Sequence, residues 1–325
     1  MSDHQSARFT GRIGVLGAGA LGALYGLRMA RAGYDVHILA RSDYPVVSRD
    51  GYRVRSWQGD FTWRAPVYPD AHSMGPCDLL LVGMKATENA AFPSLLAATA
   101  HEKTAVLTMQ NGLGNEDAIA RALADVSGVD ARERVLGAVA FLCSTRPEPG
   151  LIHHTDHGRV RLAEFSGPAT PRTHQIARLF TDAEFPCEVS DSLALIRWEK
   201  LMWNVPFNGL GVGAGHADAA AVLADPELRA VAHRLMVEVR AAANANGAPV
   251  PESFIQRMFD ATEPIGAYRS SMQLDYEAGR PLEVEAILGE PLRRARAAGV
   301  DTPTLTMLYS IVRRLNVRRQ GGATE

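Results

Sequence analysis

Residues 12–33, RIGVLGAGALGALYGLRMARAG, leave this chain little freedom of fold. An apolar run through Ile13, Val15 and Leu16 has strand length, and it ends on Gly17, Gly19 and Gly22 in the spacing G-x-G-x-x-G. Over residues 21–32 apolar side chains then recur at helical spacing. Strand, tight turn and helix follow one another, and a second apolar run at residues 35–39 supplies the next strand of a βαβ unit. In such a unit the first glycine permits the turn, the second lets backbone approach a pyrophosphate, and the third lets the helix lie close to the strand. The helix start then presents free N–H groups to an anion. Gly17, Ala18, Gly19, Ala20, Leu21 and Gly22 are therefore the candidate dinucleotide cradle, the alternative being a glycine-rich turn in another α/β unit.

The second strand bears on which dinucleotide is bound. A site for NAD places Asp or Glu near the strand end to accept from the ribose hydroxyls, whereas a site for NADP offers a cation to the 2′-phosphate. Here Val36, His37, Ile38 and Leu39 are followed by Ala40 and Arg41, while Asp35 begins the strand and Asp43 lies beyond it. Arg41 is read as the phosphate partner and the cofactor as NADPH, against the alternative of a solvated arginine.

A chain of 325 residues exceeds one comfortable core, so two domains are expected. Hydrophobic residues make up 46% and charged residues 22%, as in ordinary globular proteins, and the net charge of -2 offers no general attraction to nucleic acid or anionic membrane. The start, MSDHQSARFTG, has no apolar signal core, and no apolar run reaches membrane-spanning length, so a cytoplasmic protein is expected. Cys77, Cys143 and Cys187 lack metal-ligand spacing and are read as small buried apolar residues. Of 34 basic residues only Lys85, Lys103 and Lys200 are lysine. Where arginine is the default cation, a retained lysine hints at a compact charge or a transferable proton.

Along the chain, residues 53–69 suggest two short strands or a loop excursion, and the apolar run 78–83 suggests a parallel strand covered on both faces. That strand ends near Lys85, and the next, 104–109, ends at Gln110, Asn111 and Gly112. Ligands of open parallel sheets lie beyond the carboxyl ends of the strands, which places Lys85 and Asn111 among the candidates, although Asn-Gly is also a common turn. A helix at 89–100, a helix at 116–123 and a strand at 135–142 complete this part, followed by an expected hairpin around Gly158 formed by 150–154 and 159–164. His153, His154 and His157 crowd this segment, but no carboxylate or cysteine partner has fitting spacing, and no metal is expected. From about residue 191 the pattern is helical: 192–207, a helix opening on Asp225-Pro226-Glu227 and stopping at Asn246-Gly247, then 251–261, 268–277, 282–298 and 303–317, with a frayed tail at 318–325.

One of these helices carries chemistry. In WEKLMWNVPFN, Lys200, Asn204 and Asn208 fall at i, i+4 and i+8, on one helical face. The alternative is an amphipathic helix with this stripe in solvent, but two amides are poor choices for a solvated helical stripe. Near the end, SSMQLDYEAGRPLEVEAILG adds Ser271 and Glu283; taken alone, Glu283 also reads as an acid in the first helical turn after Pro281.

Taken together, GAGALG, LLLVGMKA, QNGLG, PGLIHH, WEKLMWNVPFN and the SSMQLD segment, in this order from residue 12 to about 315, resemble the ketopantoate reductase family. The resemblance implies an α/β Rossmann-type NADP-binding domain over residues 1–190 and an all-α substrate and catalytic domain over 191–325. It implies Lys200 as general acid, Asn111, Asn204, Asn208, Ser271 and Glu283 as substrate-holding residues, and Lys85, Asn111 and Arg41 beside the cofactor. Reducing a 2-oxo acid requires hydride at the carbonyl carbon and a proton at the developing alkoxide, with donors for the carboxylate, which lysine and amides supply. The expected partner is thus a small-molecule 2-oxo acid, 2-dehydropantoate in the first instance, with a homodimer as the expected assembly. Residues 209–215, GLGVGAG, and Tyr268-Arg269 stand where relatives carry further amides, which keeps a different 2-oxo acid as the alternative substrate. An NADP-sensing protein without catalysis is the alternative of another class.

Overall fold

The computed structural model describes residues 8–321, with side chains through residue 318. The chain divides into two compact units, one comprising the chain to Gln110 with Asn115–Leu193, the other Asn111–Gly114 with Ala194–Glu325. The short loop Asn111–Gly114 belongs with the second unit.

Unit one is an α/β layer structure. In chain order it contains β1 (Ile13–Leu16), α1 (Ala20–Arg31), β2 (Val36–Leu39), α2 (Tyr44–Asp50), β3 (Tyr52–Ser56), β4 (Phe61–Trp63), β5 (Val67–Tyr68), α3 (Ala71–Met74), β6 (Cys77–Val82), α4 (Phe92–Thr99), β7 (Ala100–Thr108), α5 (Asn115–Ser127), β8 (Val135–Glu148), β9 (Leu151–Glu164), α6 (Pro171–Asp182) and β10 (Cys187–Val189). The ten strands form one sheet in the order β4-β3-β9-β8-β7-β6-β1-β2-β5, with β10 attached to β9. Strands β8, β7, β6, β1 and β2 are mutually parallel, as a Rossmann-type unit requires.

The apolar run at β6 shows why this sheet is covered on both faces. Leu79 and Leu81 enter one buried cluster with Ile13, Val15, Ile38 and Leu107, while Leu80 and Val82 enter another with Leu16, Phe92, Leu96 and Val106. Successive side chains point to opposite faces of a strand, so an unbroken apolar run needs two cores. Truncating any of these leucines to alanine would cost roughly 2–5 kcal/mol. Leu16 registers with both Leu39 and Val82, and Val82 with Thr108. The carboxyl ends of β1, β2, β6 and β7 are therefore level, and the loops that follow them emerge at one edge.

The expected hairpin around Gly158 is corrected. Residues 151–164 form one strand, antiparallel to β8, and the chain reverses between Glu148 and Leu151. Gly158, at φ 135°, is an extra residue in the ladder between the pairs Phe141–Arg159 and Leu142–His157. A glycine at positive φ serves a bulge as readily as a turn. A Cβ there would lie 2.4 Å from the Phe185 ring, so packing also demands glycine. Before this bulge β9 pairs in parallel with β3, and after it with β10.

Unit two is helical: α7 (Leu193–Gly213), α8 (Ala219–Ala224), α9 (Pro226–Ala245), α10 (Ser253–Thr262), α11 (Ser271–Glu277), α12 (Glu290–Ala297) and α13 (Pro303–Gly321), with a π-helical segment Glu285–Gly289 leading into α12. Asp225 caps α9 by accepting from the N–H groups of Glu227 and Leu228 at 2.8 and 3.1 Å, and Pro226 takes the first helical position, as the sequence predicts. Glu238 of α9 in turn accepts from the first N–H groups of α13, at Thr304 and Leu305. The core joins Trp198, Met202 and Val205 of α7 to Leu235, Met236 and Val239 of α9 and Leu305 and Val312 of α13. Helix α13 continues to Gly321, beyond the expected fraying point, and residues 322–325 lie outside the described residues. Among the described residues no helix is long and apolar enough to cross a membrane.

Candidate active site

The loop after β1 has the shape of an anion cradle. Gly17 adopts φ 101°, and a Cβ on it would lie 2.3 Å from the Met84 nitrogen. A Cβ on Gly22 would lie 2.2 Å from the Gly17 carbonyl oxygen, so α1 packs against the turn at a distance only glycine allows. Gly19 differs, for nothing lies within 4 Å of its Cβ position. It is the N-cap of α1, no side chain caps that end, and no acid stands in the first turn. The helix start, with Ala20 and Leu21 in its first turn, thus keeps its N–H groups and its partial positive charge for an external anion. Ala18 is buried beside it.

At the neighbouring strand ends, Arg41 opens a 3-10 turn after β2 in the left-handed region, φ 43°, and its guanidinium donates to the Glu88 carboxylate. Lys85 is exposed after β6 and starts the 3-10 turn Ala86–Ala91 that also carries Glu88, whose N–H donates to the Lys85 carbonyl at 2.9 Å. Beyond β7, Thr108 donates to the Gln110 side-chain oxygen at 2.9 Å, Gln110 donates to Asn89 at 2.7 Å, and Asn89 donates to Asn115 at 2.9 Å. This partly buried chain of side chains fixes Gln110, the residue that immediately precedes Asn111.

Unit two gathers the other candidates. Asn204 and Asn208 are 3% and 2% exposed, so the amide stripe of α7 is buried and its reading as a solvated face is excluded. Asn204 donates to the Asn111 side-chain oxygen at 3.4 Å, and Asn208 accepts from the Met272 N–H at 3.4 Å. Met272 follows Ser271 in the first turn of α11, where Ser270 is buried as the N-cap, accepting from the Gln273 N–H, and Ser271 is partly exposed. The Asn111 loop is seated on the π-helical segment: Leu113 N–H donates to the Ala286 carbonyl at 3.0 Å, and a Cβ on Gly112, φ 85°, would lie 2.3 Å from that same oxygen. Glu283, 5% exposed, accepts through its backbone carbonyl from Ile287 at the start of this segment. Lys200 is partly exposed, one turn before Asn204, with Nζ 6.0 Å from the centre of the Trp203 ring.

Within unit two, the Asn111 loop, α7 and the first turn of α11 are thus linked through the side chains of Asn204 and Asn208. A family model described as ketopantoate reductase PanE/ApbA matches residues 13–167, and its C-terminal counterpart matches residues 192–316. This chain belongs to the ketopantoate reductase family. It is 41% identical to 2-dehydropantoate 2-reductase of Nostoc sp. (strain PCC 7120 / SAG 25.82 / UTEX 2576), over 95% of this chain and 96% of the relative. A crystal structure of 2-dehydropantoate 2-reductase from Geobacter metallireducens GS-15 is 40% identical, with TM-score 0.88, covering 93% of this chain and 99% of that one. The Methylococcus capsulatus enzyme of the same name is 32% identical, with TM-score 0.85 and coverage of 95% and 97%.

In this chain the glycine run after Asn208 has a packing cause. A Cβ on Gly209 would lie 2.4 Å from Leu308, and one on Gly213 3.3 Å from the same side chain, so these glycines let α7 approach α13. Gly211 faces the Gln273 side chain at 3.3 Å. The histidines 153, 154 and 157 are not a cluster of ligands. His153 and His157 are exposed, whereas His154 is buried with Nδ1 3.0 Å from Ser56 Oγ and Nε2 2.9 Å from the His157 carbonyl. Among the described residues no group of three or more His, Cys, Asp or Glu is arranged to hold a metal ion. Burial pushes the Cys77 thiol up to about 11 and the Cys187 thiol to about 12, away from thiolate chemistry. Sequence reasoning did not find Glu88, Asn89 or Gln110. The available signal was their place, within a few residues of the ends of two parallel strands.

Proposed function

We propose that this reductase converts 2-dehydropantoate to (R)-pantoate, a step of pantothenate biosynthesis, with NADPH as the cofactor. The observation that carries the reading is the buried amide pair Asn204 and Asn208 on the face of α7 that also bears Lys200, tied to the Asn111 loop and to the start of α11. Burying two amides is costly unless they are hydrogen-bonded, and a face built this way in a catalytic helix is suited to a polar ligand. NADPH, when bound, supplies the hydride for the carbonyl carbon. The fit of the protein to it rests on the uncapped start of α1, the open space at Gly19, and the cations Arg41 and Lys85 at level strand ends.

In this reading Lys200 holds a proton at Nζ and transfers it to the substrate oxygen as alkoxide character develops. Asn111, Asn204 and Asn208 orient the carbonyl and carboxylate as hydrogen-bond donors, and Ser271 adds a hydroxyl. Glu283 accepts from the substrate hydroxyl, a role for which an anion is stronger than an amide. Lys85 contributes a compact positive charge near cofactor and substrate. We place the two domains at residues 1–190 and 191–325, the protein in the cytoplasm and the assembly as a homodimer, the last being checked by sedimentation equilibrium.

The experiment is NADPH consumption against a panel of 2-oxo acids that includes 2-dehydropantoate, 2-oxoisovalerate and an aromatic 2-oxo acid. The expected result is the highest kcat/KM for 2-dehydropantoate. A higher value for another member would reassign the substrate, and no turnover with any would leave the sensor reading.

A further inference from the structure

The cation read as the 2′-phosphate partner stands in contact with a carboxylate. Arg41 donates to Glu88, and the two side chains are 57% and 43% exposed, so a solute can reach both. Arg41 is held at φ 43°, a backbone region that costs a non-glycine residue on the order of 1 kcal/mol and is concentrated at functional sites. Glu88 is fixed by a different strand end, in the turn that begins after Lys85. Opposite preferences in dinucleotide recognition are thereby placed side by side: a carboxylate accepts from free ribose hydroxyls and repels a phosphate, while an arginine attracts that phosphate.

We propose that Glu88 is a specificity-determining residue that competes with the 2′-phosphate for Arg41 and so narrows the preference for NADPH over NADH. This rests on the reading of Arg41 given above. To pair with Arg41, a 2′-phosphate must displace the Glu88 carboxylate or bind beside its negative charge. A dinucleotide with a free 2′-hydroxyl meets neither obstacle and gains an acceptor. The pair itself contributes little to folding, since exposed ion pairs are worth about 0–1 kcal/mol, so replacing Glu88 leaves a folded protein in which to measure the effect.

The test is calorimetric titration of NADP+ and NAD+ into the full-length protein, without substrate, for the unmodified chain and for Glu88→Gln, Arg41→Ala and the double variant. Glu88→Gln is expected to tighten NADP+ by about tenfold, the factor of one charge-assisted contact, and to leave NAD+ unchanged or weaker. Arg41→Ala is expected to weaken NADP+ by tenfold or more, and in its background Glu88→Gln is expected to give a smaller gain. If Arg41→Ala leaves NADP+ affinity intact, the reading of Arg41 falls and this proposal with it. If Arg41→Ala weakens NADP+ but Glu88→Gln leaves it unchanged, only the proposal for Glu88 falls. Weaker NADP+ binding by Glu88→Gln would make Glu88 a support that positions Arg41 and would equally overturn the proposal.

Discussion

The side-chain amide of Asn204 donates to the side-chain oxygen of Asn111 at 3.4 Å, joining α7 to a loop 93 residues distant in sequence. Each side chain therefore constrains the orientation of the other. Asn111→Ala and Asn204→Ala are each expected to lower kcat/KM by tenfold or more, and the double variant by less than the product of the two. The coupling should be at least about 0.5 kcal/mol, the range seen for side chains in direct contact. Strictly multiplicative losses in steady-state kinetics would show that the two amides act separately.

The glycine fingerprint was legible because its causes are local: a turn at Gly17 and a close approach at Gly22 involve residues a few positions apart. The helical spacing of Lys200, Asn204 and Asn208 was legible for the same reason, but the burial of the two asparagines was not, since it depends on Asn111, α11 and α13. Gly158 shows the converse limit, because one local property fits both a turn and a bulge, and the partner strand decides between them. The pair Arg41–Glu88 spans 47 residues and exists only because β2 and β6 flank β1 in the sheet. Helix α8, six residues long, was too short to leave a periodic signal.

Glu283 distinguishes a substrate contact from a structural acid. Glu283→Ala is expected to reduce kcat/KM for 2-dehydropantoate by about tenfold or more, while an analogue lacking the hydroxyl group is hardly affected. Equal losses for both compounds, measured side by side, would assign Glu283 to the support of the Glu285–Gly289 segment.

His154 makes stability depend on pH. Its Nε2 lies 3.1 and 2.9 Å from the Asp156 and His157 carbonyls and 3.3 Å from the Trp57 indole N–H, and its Nδ1 lies 3.0 Å from Ser56 Oγ. Burial, the largest influence, holds its pKa below the ordinary value, and burial acts on His37 in the same direction. With the folded pKa below the unfolded value of about 6.5, protons bind the unfolded chain more tightly. The contribution is therefore complete above about pH 6.5 and is lost as pH falls through that value toward the folded pKa. Urea unfolding midpoints should decline from about pH 7.5 to pH 5.5, and His154→Gln should flatten this decline while lowering the midpoint at the higher pH. An unchanged slope in the variant would remove His154 from the explanation.

The proposed proton donor is Lys200, and Lys200→Arg tests that role with least ambiguity. Arginine keeps the charge and much of the length, but its pKa is too high to release a proton to the forming alkoxide. The measurement is kcat for NADPH oxidation with saturating 2-dehydropantoate, accompanied by NADPH titration of the same variant. The expected result is a loss of about 10²- to 10⁴-fold in kcat with NADPH binding retained. A near-normal kcat would contradict the account and leave Lys200 as an electrostatic anchor, with the proton supplied by water.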